Sequence, residues 1–177
     1  MTQSLELDAV RLPIRLRCLP PQVQKNCRLL ILGCLPGGLS LVHQQYYGNP
    51  RNQFWTIMSN LVGADLPSLP YPVRLAALTG HRIGLWDCIG SAQRSGSLDS
   101  AIRSVQANPL APFVAALPQL EAIAFNGAAS ARIGRLQLTD FPHIACFDLP
   151  STSPAYTLPL HRKTATWQVL QPFIRHG

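Results

Sequence analysis

The stretch Arg28–Trp55, RLLILGCLPGGLSLVHQQYYGNPRNQFW, decides how the rest of the chain is read. It opens with four consecutive apolar residues, Leu29 to Leu32, bounded by Gly33. A run so short and aliphatic is what a strand covered on both faces of a parallel sheet requires, and it predicts a strand over 28–33. The turn Gly33-Cys34-Leu35-Pro36-Gly37 follows, then a polar and aromatic loop from His43 to Pro50. Asn52 stands as an N-cap candidate before a helical pattern that begins near Phe54. Open α/β sheets build their sites outside the carboxyl ends of their strands. The stretch is therefore either an ordinary strand–turn–helix connection or part of a site, and its aromatic loop favours a site.

Outward from this stretch, the same alternation recurs. Phe54, Ile57, Met58, Leu61 and Val62 lie at helical spacing, ended by Gly63 and the prolines at 67, 70 and 72. A short helix over Val73–Leu78 closes at Gly80. Arg82–Trp86 reads as a second buried strand ending at Asp87, followed by a polar loop, Gly90–Ser100. A helix is predicted over Pro109–Leu117, a third strand over Leu120–Phe125 ending in Asn126-Gly127, and a short helix over Ala128–Arg135. A fourth strand over Ile144–Phe147 ends at Asp148-Leu149-Pro150, and an amphipathic helix over His161–Ile174 closes the chain. Residues 1–27, with Pro13, Pro20 and Pro21, show no period and read as a packed or partly mobile lead-in. Strands alternating with helices predict a three-layer α/β/α sandwich around a four-stranded, mainly parallel sheet, formed by one domain spanning residues 1–177.

Composition bounds the function. The 177 residues are 47% hydrophobic and 13% charged, which fits a folded domain and excludes a disordered chain. Fifteen Lys and Arg against eight Asp and Glu give a formal charge of +7, a positive balance suited to phosphates. No apolar run is long enough to cross a membrane, and Met1–Val10 lacks the form of a signal peptide, so an intracellular, cytoplasmic protein is expected. The five cysteines, Cys18, Cys27, Cys34, Cys88 and Cys146, are scattered without C-x-x-C spacing; reduced thiols and no metal site are expected. The phosphate loop of nucleotide triphosphatases, the dinucleotide fingerprint and the hydrolase nucleophile elbow are all missing.

In a parallel sheet the four strand exits share one rim, and they carry the chain's polar and aromatic residues. The Gly33–Gly37 turn can offer backbone N–H groups at close approach. Tyr46, Tyr47, Phe54 and Tyr156 have flat faces for stacking a base, while Trp55 and Trp167 are assigned to the core. Ser151, Thr152 and Ser153 either bind a backbone phosphate or form an ordinary turn. The candidate acids and bases are Asp87, Asp99, Asp148 and His43; a lone Asp at a strand end is more often a cap or a brace.

At these residues the chain resembles the uracil-DNA glycosylase superfamily. The G-x-x-P-G turn, Gly33 to Gly37, resembles its first motif. Asn52-Gln53-Phe54-Trp55 resembles the N-x-F-W segment of the mismatch-specific members, and Leu149-Pro150-Ser151-Thr152-Ser153-Pro154-Ala155 resembles the second motif as the hypoxanthine-DNA glycosylase branch carries it. The resemblance implies a monofunctional base-excision repair enzyme that hydrolyses the N-glycosidic bond of a deaminated base in DNA, hypoxanthine first and uracil second. It also implies no cofactor, and a monomer is expected.

The resemblance further implies that Asn52 positions the hydrolytic water. Phe54 would stack on the flipped base, with Gly33, Cys34, Leu35, Pro36, Gly37, Tyr47 and Asn126 around it. Ser40, Ser151, Thr152, Ser153, Pro154, Ala155, Tyr156, Arg162 and Lys163 would meet the DNA; apart from the resemblance, Asp87 at its strand end, or Asp99, is a candidate assisting group. Three positions depart from the pattern. Leu35 stands where mismatch-specific enzymes carry a catalytic Asn, Cys34 where the hypoxanthine branch usually has Ser, and Tyr156 where Asn is common. A mismatch-specific uracil-DNA glycosylase, a DNA-binding protein on the same fold without hydrolysis, and a nucleosidase of free nucleosides are the alternatives.

Overall fold

The structure, a computed structural model, describes residues 15–95 and 98–174. Its elements in chain order are β1 (Arg15–Arg17), β2 (Leu29–Gly33), α1 (Gly38–His43), α2 (Phe54–Val62), α3 (Tyr71–Gly80), β3 (Ile83–Asp87), β4 (Ile89–Arg94), β5 (Ile102–Ala107), α4 (Leu110–Ala115), β6 (Ala122–Asn126), α5 (Ala128–Arg135), β7 (Ala145–Leu149) and α6 (Leu160–Trp167). Single 3-10 turns occupy Leu66–Ser68 and Asp99–Ala101, and a longer one Gln168–Phe173.

The central sheet has the order β3-β2-β6-β7, with every pair parallel. All five residues of β2, β3 and β6 are buried. Alternation explains this: Leu29 and Ile31 of β2 enter one apolar cluster, with Phe54, Ile57, Met58, Leu61, Leu78 and Trp167 of α2, α3 and α6. Leu30 and Leu32 point to the opposite face, into a cluster with Leu110, Val114 and Ala131 of α4 and α5. The layers are helix, sheet, helix, as the sequence predicts, and Trp55 and Trp167 lie in the core.

A second sheet departs from the expectation. The segment read as a polar loop from Gly90 to Ser100 contains most of β4, which pairs antiparallel with both β1 and β5. The sequence IGSAQR lacks the β-branched and aromatic density that marks a strand. Tertiary contacts form it instead: Ile89 and Ala92 bury against Cys34 and Leu35, and Ser91 Oγ accepts from Arg15 Nε at 2.9 Å and donates to Gln106 Oε1 at 2.9 Å. The lead-in is packed where it is described, with Leu19 in the core and Gln22 bridged to Leu85; residues 1–14 lie outside the described residues. The closing helix over 161–174 is α-helical only through Trp167 and then tightens to 3-10 geometry, with Pro172 inside. The residues after Gly37, not assigned to any element from sequence, form α1.

Helix α5 sits directly on the sheet because Gly134 has no side chain. A Cβ there would overlap the Phe125 ring and lie 3.0 Å from Cys88 Sγ, both in the packed core. Gly134→Ala should therefore lower unfolding free energy by about 1–3 kcal/mol, measured by urea denaturation, as overpacking does elsewhere.

Candidate active site

The parallel register sets the carboxyl ends of β2, β3 and β6 side by side, with Gly33 opposite Asp87 and Asn126 opposite Leu149. Above them opens a cavity of about 760 Å³, within the usual range for ligand sites. Its wall combines the Gly33–Ser40 segment, Tyr46, Tyr47, Asn52, Asp87, Asp99, Asn126 and the loop from Ser151 to Tyr156.

The first turn is strapped from below and from the side. The Gly33 and Cys34 carbonyls accept from the Cys88 and Ile89 amides at 2.8 and 3.0 Å. Arg94 on β4 donates to the carbonyls of Leu35, at 3.2 Å, and Pro36. Gly33 is required because Asp87 Oδ1 lies 2.5 Å from where a Cβ would stand. Burial holds the Cys34 thiol protonated, well above its ordinary value, so at this wall it is a weak hydrogen-bond donor.

Tyr47 and Phe54 form a two-layer stack, centroids 3.7 Å apart and planes 17° from parallel. Phe54 is fully buried and is not part of the wall; Tyr47 covers it. The aromatic face at the cavity is therefore Tyr47, with Phe54 the layer behind. Tyr47 takes φ +53°, a left-handed conformation costly for a tyrosine. Its hydroxyl is held protonated by burial, against the opposing effect of a hydrogen bond with Asn126. The alternation of tyrosines and phenylalanine in the sequence carries no sign of which ring is outermost.

Asn126 and Thr152 bond reciprocally: Asn126 Nδ2 donates to Thr152 Oγ1 and the Thr152 amide donates to Asn126 Oδ1, each at 2.9 Å. Thr152 is fully buried, and its carbonyl accepts from the Gln53 amide at 3.0 Å. The second-motif loop is thereby tied both to β6 and to the Asn52 segment. The N-cap position of α2 falls to Gln53, one residue after the expected Asn52, and has no side-chain cap. Asn52 Oδ1 instead accepts from the amide of Phe54, the first residue of α2, at 2.9 Å while lining the cavity. That bond uses one lone pair and leaves Nδ2 and the second lone pair.

Among the expected DNA contacts, Ser40 is buried and its Oγ accepts from the Gly48 amide at 3.0 Å, bracing the aromatic loop. Pro154, Ala155 and Tyr156 are exposed at the rim, with Ser151 and Ser153 half-buried beside them. Arg162 is exposed outside the cavity. Lys163, expected near phosphates, is instead 1% exposed. Its Nζ donates to the carbonyls of Tyr156 at 2.7 Å and Ser153 at 3.4 Å, and lies 5.4 Å from the Tyr156 ring centroid. The helical position of Lys163 on the apolar side of α6, four residues before Trp167, is the clue in the sequence to its burial.

Asp87 is 4% exposed, and burial with nearby Asp99 pushes its carboxyl up to about 8, against the pull of Arg94. Asp148 lies outside the cavity, paired with Arg135 at 2.8 Å. Among the described residues no three His, Cys, Asp or Glu side chains gather as metal ligands, and no helix is long and apolar enough to cross a membrane.

The sequence profile of the Uracil DNA glycosylase superfamily matches residues 20–172, and the chain belongs to that family. It is 40% identical over 111 residues to proteins named hypoxanthine DNA glycosylase from Methanosarcina barkeri and Methanosarcina acetivorans, an alignment covering 63% of this chain and 70% of each relative. A solution NMR structure of a candidate uracil DNA glycosylase from Methanosarcina acetivorans superposes with a TM-score of 0.79 at 32% identity, covering 90% of this chain and 99% of that one.

The buried ammonium makes Lys163 a structural tether. Lys163→Met keeps the stem and removes both hydrogen bonds, leaving two loop carbonyls without their donor. The unfolding free energy should fall by about 1–3 kcal/mol, and the 153–156 loop should become the first site of limited proteolysis; unchanged cleavage would show that the tether is dispensable.

Proposed function

We propose that this protein is a monofunctional DNA glycosylase that hydrolyses the N-glycosidic bond of deaminated bases, hypoxanthine before uracil, and leaves an abasic site. The observation that carries the reading is the meeting, in one cavity, of a held amide (Asn52), an aromatic platform (Tyr47) and a polar strand end (Asn126) beneath an exposed Ser/Pro/Tyr loop. Membership of the superfamily supports DNA as the substrate class, and the names of two relatives, hypoxanthine DNA glycosylases, support hypoxanthine over uracil.

The chemistry follows from these residues. A base leaves the duplex stack to reach the cavity, at a cost of a few kcal/mol that is least for mispaired bases. Tyr47, backed by Phe54, stacks on it, and the Gly33–Gly37 turn with Asn126 meets its edge. As the C1′–N bond lengthens, the sugar gains oxocarbenium character and the base negative charge. Asn52 cannot abstract a proton at neutral pH; it holds a water at C1′ by hydrogen bonding, and positioning supplies its contribution. The water gives its hydroxyl to C1′, and its remaining proton neutralises the released base. Leu35, in place of the first-motif Asn, takes no part in activating water. Tyr156, Pro154 and Ala155 press against the strand from which the base has left, with Ser151, Ser153 and Arg162 close to its phosphates.

The same reading takes residues 1–177 as one domain acting as a monomer in a reducing, cytoplasmic setting. The five free cysteines, none paired with another, are consistent with it.

Single-turnover cleavage of oligonucleotides bearing one inosine or one uracil tests the reading, with wild type beside Asn52→Ala. Wild type should release hypoxanthine faster than uracil, and Asn52→Ala should lower the rate at least roughly 100-fold while DNA binding persists. Because Asn52 Oδ1 also bonds the first amide of α2, the variant's thermal midpoint is recorded alongside. Salt-sensitive binding without release of either base would make the protein a DNA-binding module, and activity on free inosine alone would make it a nucleosidase.

A further inference from the structure

The cavity floor contains a buried polar group that the mechanism above leaves unused. Asp87 ends β3, is 4% exposed and lines the cavity. Its Oδ2 is buried with no hydrogen-bond partner, and its Oδ1 is pressed against Gly33. Its own carbonyl accepts from Asn108 Nδ2 at 2.8 Å, which fixes the strand end from the far side. A buried carboxyl oxygen without a partner is costly unless a ligand completes it.

The groups around it come from every neighbouring element. They are Cys34 after β2, Tyr46 and Tyr47 from the aromatic loop, Cys88 after β3, Arg94 on β4, and Asp99 and Cys18 from the connecting segments. Arg94, the sole cation in this set, donates to the Leu35 and Pro36 carbonyls. The thiols and phenols around Asp87 are neutral, and Arg94 is the one group of this set that favours a carboxylate. Burial is the dominant cause that moves its titration up to about 8, with Asp99 adding to it and Arg94 opposing it.

Resting on the glycosylase reading, we propose that Asp87 is a catalytic residue that works as a neutral carboxylic acid, donating its O–H to the carbonyl oxygen that deamination places on the base. Hypoxanthine and uracil both carry such an oxygen where adenine and cytosine carry an amino group. When the C1′–N bond breaks, its electron pair passes to the base and spreads to that oxygen, and a donor fixed against it stabilises the charge as it develops. A carboxylic acid held neutral in an apolar site is suited to this task, whereas a carboxylate would repel the charge. The proton stays on Asp87 throughout, so the balance is that of the hydrolysis itself.

Three proteins are compared in single-turnover release of hypoxanthine across roughly pH 5 to 9.5: wild type, Asp87→Asn and Asp87→Ala. Wild-type rates should fall as pH rises through about 8, where the donor is lost. Asp87→Asn keeps an N–H donor without a titration, so its profile should lack that falling limb. Asp87→Ala should be at least roughly 100-fold slower than wild type and slower than Asp87→Asn.

Thermal midpoints over the same range give a readout independent of activity. The folded-state value is raised above that of the unfolded chain. Wild-type stability from this group is therefore full below about pH 4 and is lost as pH rises through about 8. The midpoint of Asp87→Asn relative to wild type should climb across that window and then level off. A falling limb that persists in Asp87→Asn, or Asp87→Ala within a few-fold of wild type, overturns the proposal while leaving the glycosylase reading intact. A midpoint difference independent of pH also overturns it. Wild type that releases neither base overturns both.

Discussion

The structure depends on β2 being enclosed. Leu29 to Leu32 are fully buried, paired on one edge with β3 and on the other with β6, and covered by helices on both faces. Parallel pairing in register fixes where each strand stops. Gly33, Asp87 and Asn126 therefore stop at one level, and the connections that leave them must turn over the same edge. The cavity is the space between those departures. Gly33, Asp87 and Asn126 of the proposed chemistry are located by this one constraint at strand ends, and the 151–156 loop follows the end of β7.

What holds the loops is of a different kind. The reciprocal Asn126–Thr152 pair, the Gln53 bond to the Thr152 carbonyl, Arg94 on the first turn and Lys163 under the 153–156 segment are hydrogen bonds of side chains and backbone that join different segments. Such bonds are individually modest, but their buried partners cannot be satisfied by water once a member is lost. The loops are thus rigid because their polar groups have no alternative. Rigidity of this kind suits a site that must present donors before the substrate arrives.

The core of this arrangement was legible in the sequence because it rests on short-range rules. The aliphatic run at Leu29, the 3.6-residue spacing from Phe54 to Val62 and the glycine after Asn126 each specify an element locally. β4 was illegible because IGSAQR has no strand pattern of its own and is recruited by β1, β5 and the first turn. The exchange between Tyr47 and Phe54 was illegible for a related reason: both rings suit stacking, and only the left-handed backbone at Tyr47 decides which lies outermost. Lys163 misleads because a lysine beside a phosphate-binding loop reads as a phosphate ligand, while its stem and burial follow from its place on α6. Asp87 was visible as a candidate, but its missing partner and its enclosure are properties of the packed interior.

The wall of the cavity is drawn from chain segments near residues 33–40, 46–52, 87, 99, 126 and 151–156, so no contiguous piece of the chain contains the site. Closures between the more distant segments span long loops whose entropy must be lost before the contact forms, the condition under which parallel sheets fold slowly. The last wall segment follows β7, the final strand, and is tied down by Lys163 from the helix after that. During synthesis the chain therefore carries an unfinished rim until α6 has emerged. The cavity is closed only once the last helix has emerged and packed, and an incompletely folded molecule lacks part of its wall.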